Sequence, residues 1–389
     1  MGGARPVSVA LFLGLTVTSI GGPLALIALY IPQALDGAGS SAGLSTLMAT
    51  LVFLFPLAVW YRYSESIASS GGLYAFVEAA TGPALARVQA AFWVFSYFLY
   101  LVYTVPFIVY DLLPVAFPAS THYRPLLDVC LVLLICAVML SPLIITLSVT
   151  ALLAAFPVVV AALLTVLTLA HLGAPATSFV GHGNLTPVLQ GAGRISSLYI
   201  CASLPLFLGG EVRGGGKAVR QGIAWAFFAI AALTVIAVFP LANARDAIIN
   251  ANIPGAELAQ AFSGQGFATL VVVGVAVSVA GLIIAEFLAL SRLLSAMFKQ
   301  PNRSMVVVVL VPFLAGSLLS LLNPPGAYDL LLKPSLIALW ISQLLVVAVY
   351  PWFVRRSRKL LIGDVALATA ASLVMAVGLY IAVTSGSGT

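Results

Sequence analysis

Long apolar stretches alternate with short polar links along the chain, and each stretch reaches the roughly 20 residues with which a helix spans a bilayer. Eleven such windows are predicted, at residues 7–33, 41–63, 84–113, 124–146, 149–172, 193–212, 220–242, 265–298, 304–322, 330–353 and 362–384. The third and eighth are long enough to tilt or protrude, and the turn between the fourth and fifth is placed at Leu147-Ser148. Two links are more than turns. The stretch Ser64 to Pro83 is too polar for a crossing and predicts a short cytoplasmic helix. Asn243 to Gly266 mixes apolar and polar residues at near-helical spacing, which predicts an extracellular helix packed over an entrance as a lid.

Two spans break where a membrane helix should run straight through. The first break is Ser19-Ile20-Gly21-Gly22-Pro23; the second lies between Tyr199 and Gly210, where Pro205, Gly209 and Gly210 interrupt the run. In hydrocarbon a broken helix leaves backbone groups unpaired, so it persists where those groups line a cavity. Paired breaks in two halves of a chain point to a transporter's substrate site, whereas Gly-Gly-Pro alone can simply kink a helix. Helix restarts at such breaks present amides and a positive dipole end, which suit a carboxylate. In the second break, either Tyr199-Ile200-Cys201-Ala202-Ser203 or Pro205 to Gly210 is the unwound part.

Composition makes the bilayer the solvent. Hydrophobic residues are 62% of the 389 and charged ones 7%, against about 25% charged in an ordinary soluble domain. The net charge of +6 would suit nucleic acid, but position along the chain removes that reading. With the N-terminus inside, 13 of the 17 Lys and Arg fall on the cytoplasmic side, leaving Arg124, Arg194, Arg245 and Lys333 outside. The C-terminus is then outside. The first apolar run continues past any cleavage point, which argues against a removed signal peptide. Cys130, Cys136 and Cys201 sit in apolar runs without metal-ligand spacing, and no linker divides residues 1–389, so a single transmembrane domain is expected.

Glu286 stands inside the eighth span, where an ionisable group costs several kcal/mol and marks a functional site by default. It could bind a cationic group of the substrate, carry a proton, or pair with a basic residue to hold helices together. The third span carries Trp93, Tyr97, Tyr100 and Tyr103, of which Tyr100 and Tyr103 lie near its middle, as cavity wall or as packing. Arg62 and Glu65 could gate the cytoplasmic side with Arg5 or Arg220, or pair only at the surface. His122, His171 and His182 map to outside loops rather than to a metal site. Hydrolase, metalloprotease and nucleotide-binding motifs are missing, so neither enzyme activity nor a cofactor is expected.

Several strings, in order, resemble the amino acid-polyamine-organocation (APC) permeases. They are Ser70-Gly71-Gly72-Leu73-Tyr74 followed by Thr81-Gly82-Pro83, then Glu211 to Ile223, then Ser291-Arg292-Leu293-Leu294-Ser295-Ala296-Met297, with Ile20-Gly21-Gly22-Pro23 as the Gly-rich first break. Gly214-Gly215 replaces that family's Asn-Pro pair. The resemblance implies an all-α polytopic membrane protein with a five-plus-five inverted repeat and discontinuous helices one and six. Repeat one is then about 7–172, repeat two about 193–353, and 362–384 an extra helix. The resemblance also places Glu286 toward the substrate cavity. A Glu is not the family's common residue there, which favours a basic amino acid or polyamine. Ser278 and Ser291 are too far apart for a sodium-binding hydroxyl pair, and the fifth span holds no Lys, so sodium coupling is not supported and proton coupling, exchange or uniport stays open. The expected function is a secondary transporter or exchanger of an amino acid or related amine in the cell membrane. An amino-acid sensor with a transporter fold and an ion channel are the alternatives.

Overall fold

The computed structural model describes residues 7–35, 38–181 and 185–384. Among them, 11 helices are long and apolar enough to cross a membrane: Val9–Ala34, Gly39–Ser66, Pro83–Ala116, Pro118–Leu140, Leu143–Leu172, Thr186–Leu208, Gly215–Asn243, Gln265–Phe298, Asn302–Ser320, Gly326–Ser357 and Ile362–Thr384. They are called spans one to eleven below. The fold is all-α, and its one β-type contact among the described residues is an isolated bridge between Val7 and Val212. Five crossings separate the start of span one from the start of span six. Because five is odd, the two broken spans enter from opposite sides, which is what inverts the second repeat relative to the first.

Two boundaries move because of proline. Spans four and five part at Ser141-Pro142, not at Leu147-Ser148: Ser141 is extended (ψ 160°), as a residue before proline prefers, and Pro142 precedes the next helix. Span six starts at Thr186 instead of residue 193, with Pro187 in the first turn, where its missing N–H costs nothing.

Proline also explains two widened turns. Leu26–Tyr30 and Phe107–Leu112 are π-helical, and each ends two residues before a proline, Pro32 and Pro114. A proline ring clashes with the carbonyl four residues back and offers it no N–H, so the preceding turn opens. For Pro114 that carbonyl belongs to Tyr110, and it accepts instead from Arg124 Nη2 at 3.1 Å. π-Turns recur at functional sites; the first of these carries Tyr30.

Small residues set how closely the spans approach. Gly14 of span one lies against Ala151 of span five, and Thr18 Oγ1 donates to the Thr150 carbonyl at 3.3 Å. Spans three and ten join through buried polar contacts, Gln89 Nε2 donating to Ser342 Oγ at 2.8 Å and Ser335 Oγ to the Ser96 carbonyl at 2.9 Å. Helix forms in both links, as one segment in the first and two in the second. Gly72–Thr81 packs Gly72 onto the Phe207 ring, and Asp246–Ile249 with Pro254–Ser263 fill the other link.

Candidate functional site

The first break is built from two left-handed glycines. The helix Val9–Ser19 stops, Gly21 (φ 66°) and Gly22 (φ 62°) turn the chain, and helix resumes at Pro23 without a side-chain cap. Only glycine holds two successive positive φ values cheaply. Ser19, Ile20 and Pro23 are buried around it, and the Ser19 hydroxyl turns back to the Leu15 carbonyl at 2.7 Å. The two breaks meet here, because a Cβ on Gly21 would lie 3.4 Å from the Leu198 carbonyl oxygen.

Leu198 ends the α-helical part of span six. From there Tyr199–Leu208 is one continuous 3-10 helix, so both expected stretches depart from α-geometry by tightening rather than by unwinding. A 3-10 run of 10 residues is far longer than the usual three or four. Its threefold period lines up Cys201, Leu204 and Phe207 on one face. Cys201 accepts from the Tyr97 hydroxyl at 3.7 Å, and Phe207 packs on Trp93 with ring centres 4.6 Å apart. Ser203 accepts from Gln343 Nε2 of span ten at 2.9 Å, while Ile200 and Ala202 are buried in packing. Tyr199 is a correction: its side chain turns away to spans two and seven, bonding Thr50 at 3.3 Å and packing on Phe53 and Phe227.

Glu286 lies at the centre of the molecule, 0% exposed, and neither carboxylate oxygen has a hydrogen-bond partner. The expected helix-holding ion pair is therefore not made. The nearest basic residue in its own span, Arg292, instead forks onto Glu211, Nε to Oε1 at 2.7 Å and Nη2 to Oε2 at 3.2 Å. Around Glu286, within electrostatic reach, stand Tyr30, Tyr97, Tyr100, Tyr103 and Cys201. Tyr103 packs edge-on against both Tyr100 and Tyr328, with centroids 5.1 and 5.4 Å apart. Tyr30, Tyr100 and Cys201 are only half-buried despite their depth in the spans, so space beside them is accessible.

Contacts bridge the chain on both faces of this centre. On the face carrying the N-terminus, the Val7 amide donates to the Glu211 carbonyl at 2.7 Å and the Arg213 amide to the Val7 carbonyl at 2.9 Å. The Arg292–Glu211 fork lies beside that bridge. On the far face, Gly255 of the link helix sits directly on Ala28, and Gln33 Nε2 donates to the Asn252 carbonyl at 3.0 Å.

The expected gate residues divide. Glu65 meets Arg220 loosely, at 3.8 Å and largely exposed, as surface pairing would. Arg62 joins neither Arg220 nor Glu65 but binds Asp364 of span eleven at 2.7 Å; Arg5 lies outside the described residues. Asp364 also accepts both arms of Arg358, and that hydrogen bond raises the guanidinium of Arg358 above its ordinary value. His122 and His171 are exposed, and His182 lies outside the described residues. Among the described residues no three His, Cys, Asp or Glu side chains gather that could hold a metal ion.

Tyr30 and Tyr97 were not distinguished in the sequence from ordinary packing aromatics, although Pro32 two residues beyond Tyr30 is the visible cause of its widened turn. Asp128 is a second acid of the same kind as Glu286. It is buried in span four with both oxygens unpartnered, four residues after Arg124, and its place near a predicted span end hid its burial.

No family model matches the chain, and no curated protein matches it in sequence. The APC resemblance therefore gains no support from sequence comparison. Among solved structures, the chain is similar to a manganese transporter of Eremococcus coleocola, crystallised with an aromatic bis-isothiourea substituted compound. The TM-score is 0.65 at 10% identity, over 96% of this chain and 87% of that one. At that identity the likeness establishes the fold, that of a polytopic membrane protein.

Proposed function

We propose that this protein is a secondary transporter that moves a small amine, an amino acid or a related organic cation, across the cell membrane by alternating access. The observation that carries this reading is Glu286: a carboxylate without a protein partner, held among tyrosines beside the meeting point of two broken helices. A group so placed is costly unless a cation or a proton joins it. The aromatic faces around it attract an ammonium or guanidinium through their negative π clouds, worth about 1–2 kcal/mol each when desolvated. The helix restart at Pro23 supplies the positive end that a substrate carboxylate would meet. A cationic amino acid or polyamine uses these features best. Conserving the fold with one midplane acid also suits proton coupling at the same carboxylate.

A second reading comes from the solved structure, whose protein is a manganese transporter. Manganese favours several oxygen ligands in octahedral array, and here a single carboxylate is surrounded by tyrosine hydroxyls and a thiol, which is a poorer fit. Uptake by the purified protein in proteoliposomes decides between them, measured for a panel of amino acids, polyamines and Mn²⁺ with and without a proton gradient. Accumulation or exchange of a cationic amine supports the proposal; transport of Mn²⁺ alone, or of nothing in the panel, overturns it.

A further inference from the structure

A cavity of about 350 Å³ opens at the face carrying the N-terminus, between the ends of spans two, ten and eleven and apart from the central site. Arg62 and Arg358 flank it, and both are fixed by one carboxylate. Arg62 Nη1 donates to Asp364 Oδ1 at 2.7 Å, and Arg358 Nη2 and Nη1 donate to Oδ1 and Oδ2, each at 2.8 Å. Asp364 is 2% exposed, whereas the two arginines are 42% and 45% exposed, so their charges face the opening. Arg62 commits a single N–H bond of the five its guanidinium offers. Tyr350 and Phe353 form the inner wall, and Glu65 is the second acid on the lining.

The surroundings add two features. Two basic and two acidic side chains share the lining, and the positive surplus comes from Arg355, Arg356 and Lys359, which lie off the lining on the same short stretch. Beside the mouth, Leu361 of the lining and its neighbour Ile362 expose apolar surface, Ile362 at 91%. Basic pockets at the ends of membrane helices on the cytoplasmic side bind phosphate head groups, and a guanidinium fork matches two phosphate oxygens at once.

We propose that this cavity binds the phosphate of an acidic phospholipid from the leaflet at that face. The arginines take the phosphate, and Leu361 and Ile362 take the first methylenes of the acyl chains, a contact that a free phosphate would leave empty. Asp364 holds both guanidiniums in register and balances them when the lipid is gone. A bound lipid then ties span eleven to spans two and ten.

The full-length protein is purified in detergent and mixed with phosphatidylglycerol, phosphatidylcholine or glycerol 3-phosphate, and retained ligand is counted by native mass spectrometry alongside thermal unfolding. The wild type should retain phosphatidylglycerol about tenfold over phosphatidylcholine, the size expected for one charge-assisted fork. Arg62→Gln with Arg358→Gln should remove that preference. Because that variant strands the buried Asp364, a triple variant adding Asp364→Asn keeps the fold free of an unpaired carboxylate and should lose the preference equally. Equal retention of the two lipids by the wild type, or an unchanged preference in the folded triple variant, overturns the proposal. Stabilisation by glycerol 3-phosphate with no effect of phosphatidylglycerol overturns the lipid source and moves the phosphate to a soluble ligand.

Discussion

Gly22 lies against Ser278 so closely that a Cβ atom there would come within 3.0 Å of the Ser278 carbonyl oxygen and 3.1 Å of its Cβ. The first break is thereby seated on the eighth span, backbone to backbone. Gly22→Ala would demand both a left-handed alanine and a retreat of span eight. The backbone part alone costs on the order of 1 kcal/mol. The expected outcome is a folded protein, by size-exclusion profile, with uptake reduced at least tenfold. Wild-type uptake would show that the break only kinks the helix.

Glu286→Gln keeps the shape of the side chain and removes its charge. If the carboxylate receives the substrate's cation, uptake of cationic amines should fall at least tenfold while any neutral substrate is spared. Should it carry the coupled proton, the response of uptake to a proton gradient should vanish while exchange persists. Thermal stability should rise or hold, since an unpaired buried acid is replaced by a neutral amide. A variant with wild-type selectivity and wild-type pH response would return Glu286 to a structural role.

Arg292 and Glu211 form a forked ion pair beside the Val7–Val212 bridge. Glu211→Gln leaves Arg292, 3% exposed, without its counter-charge. Stranding a fully buried charge costs roughly 3 to 5 kcal/mol, and Glu211 is itself partly exposed, so a loss near or below the lower end is expected. Hydrogen exchange should increase in residues 208–215 before it does elsewhere. Reversing the pair as Glu211→Arg with Arg292→Glu should restore part of the loss; no restoration would mean that the contact contributes packing alone.

Gly255 tests the opposite face. A Cβ there would fall 2.7 Å from the Ala28 Cα and 2.9 Å from its carbonyl oxygen, atoms that cannot step aside without moving the restarted half of span one. Gly255→Ala should loosen the link helix Pro254–Ser263 over that half. Labelling of a cysteine placed at Tyr30 by a membrane-impermeant reagent should become several-fold faster than in the same cysteine variant with Gly255 intact. Unchanged labelling would show that this helix does not govern access.

The fold was readable because bilayer thickness forces a length on each apolar run, and glycines at 21 and 22 can be recognised as a break without knowing what they face. What they face was not readable. Ser278 and Leu198 meet the first break from spans that are distant in sequence, and no local spacing encodes that meeting. Glu286 declared itself as a charge in an apolar run, whereas its tyrosine surroundings come from two other spans and look individually like packing. Tyr199 shows the opposite failure: its position in the second break was right, but the 3-10 period turned its side chain toward Phe53 and Phe227. Ser141-Pro142 is invisible to hydropathy, which hardly changes across it, and visible only to proline stereochemistry.

The bridge between Val7 and Val212 is made of amides and carbonyls alone. Side-chain replacement leaves such a joint in place, and because Val7 and Val212 are themselves buried, a saturation mutagenesis screen would report their lost packing and not the joint. Its contribution would emerge only from deleting the leading segment or from an ester in place of the Val7 peptide N–H. A fusion partner attached directly ahead of Val7 would pull on the same joint, which makes the amino-terminal tag a variable to be controlled whenever transport rates of this protein are compared.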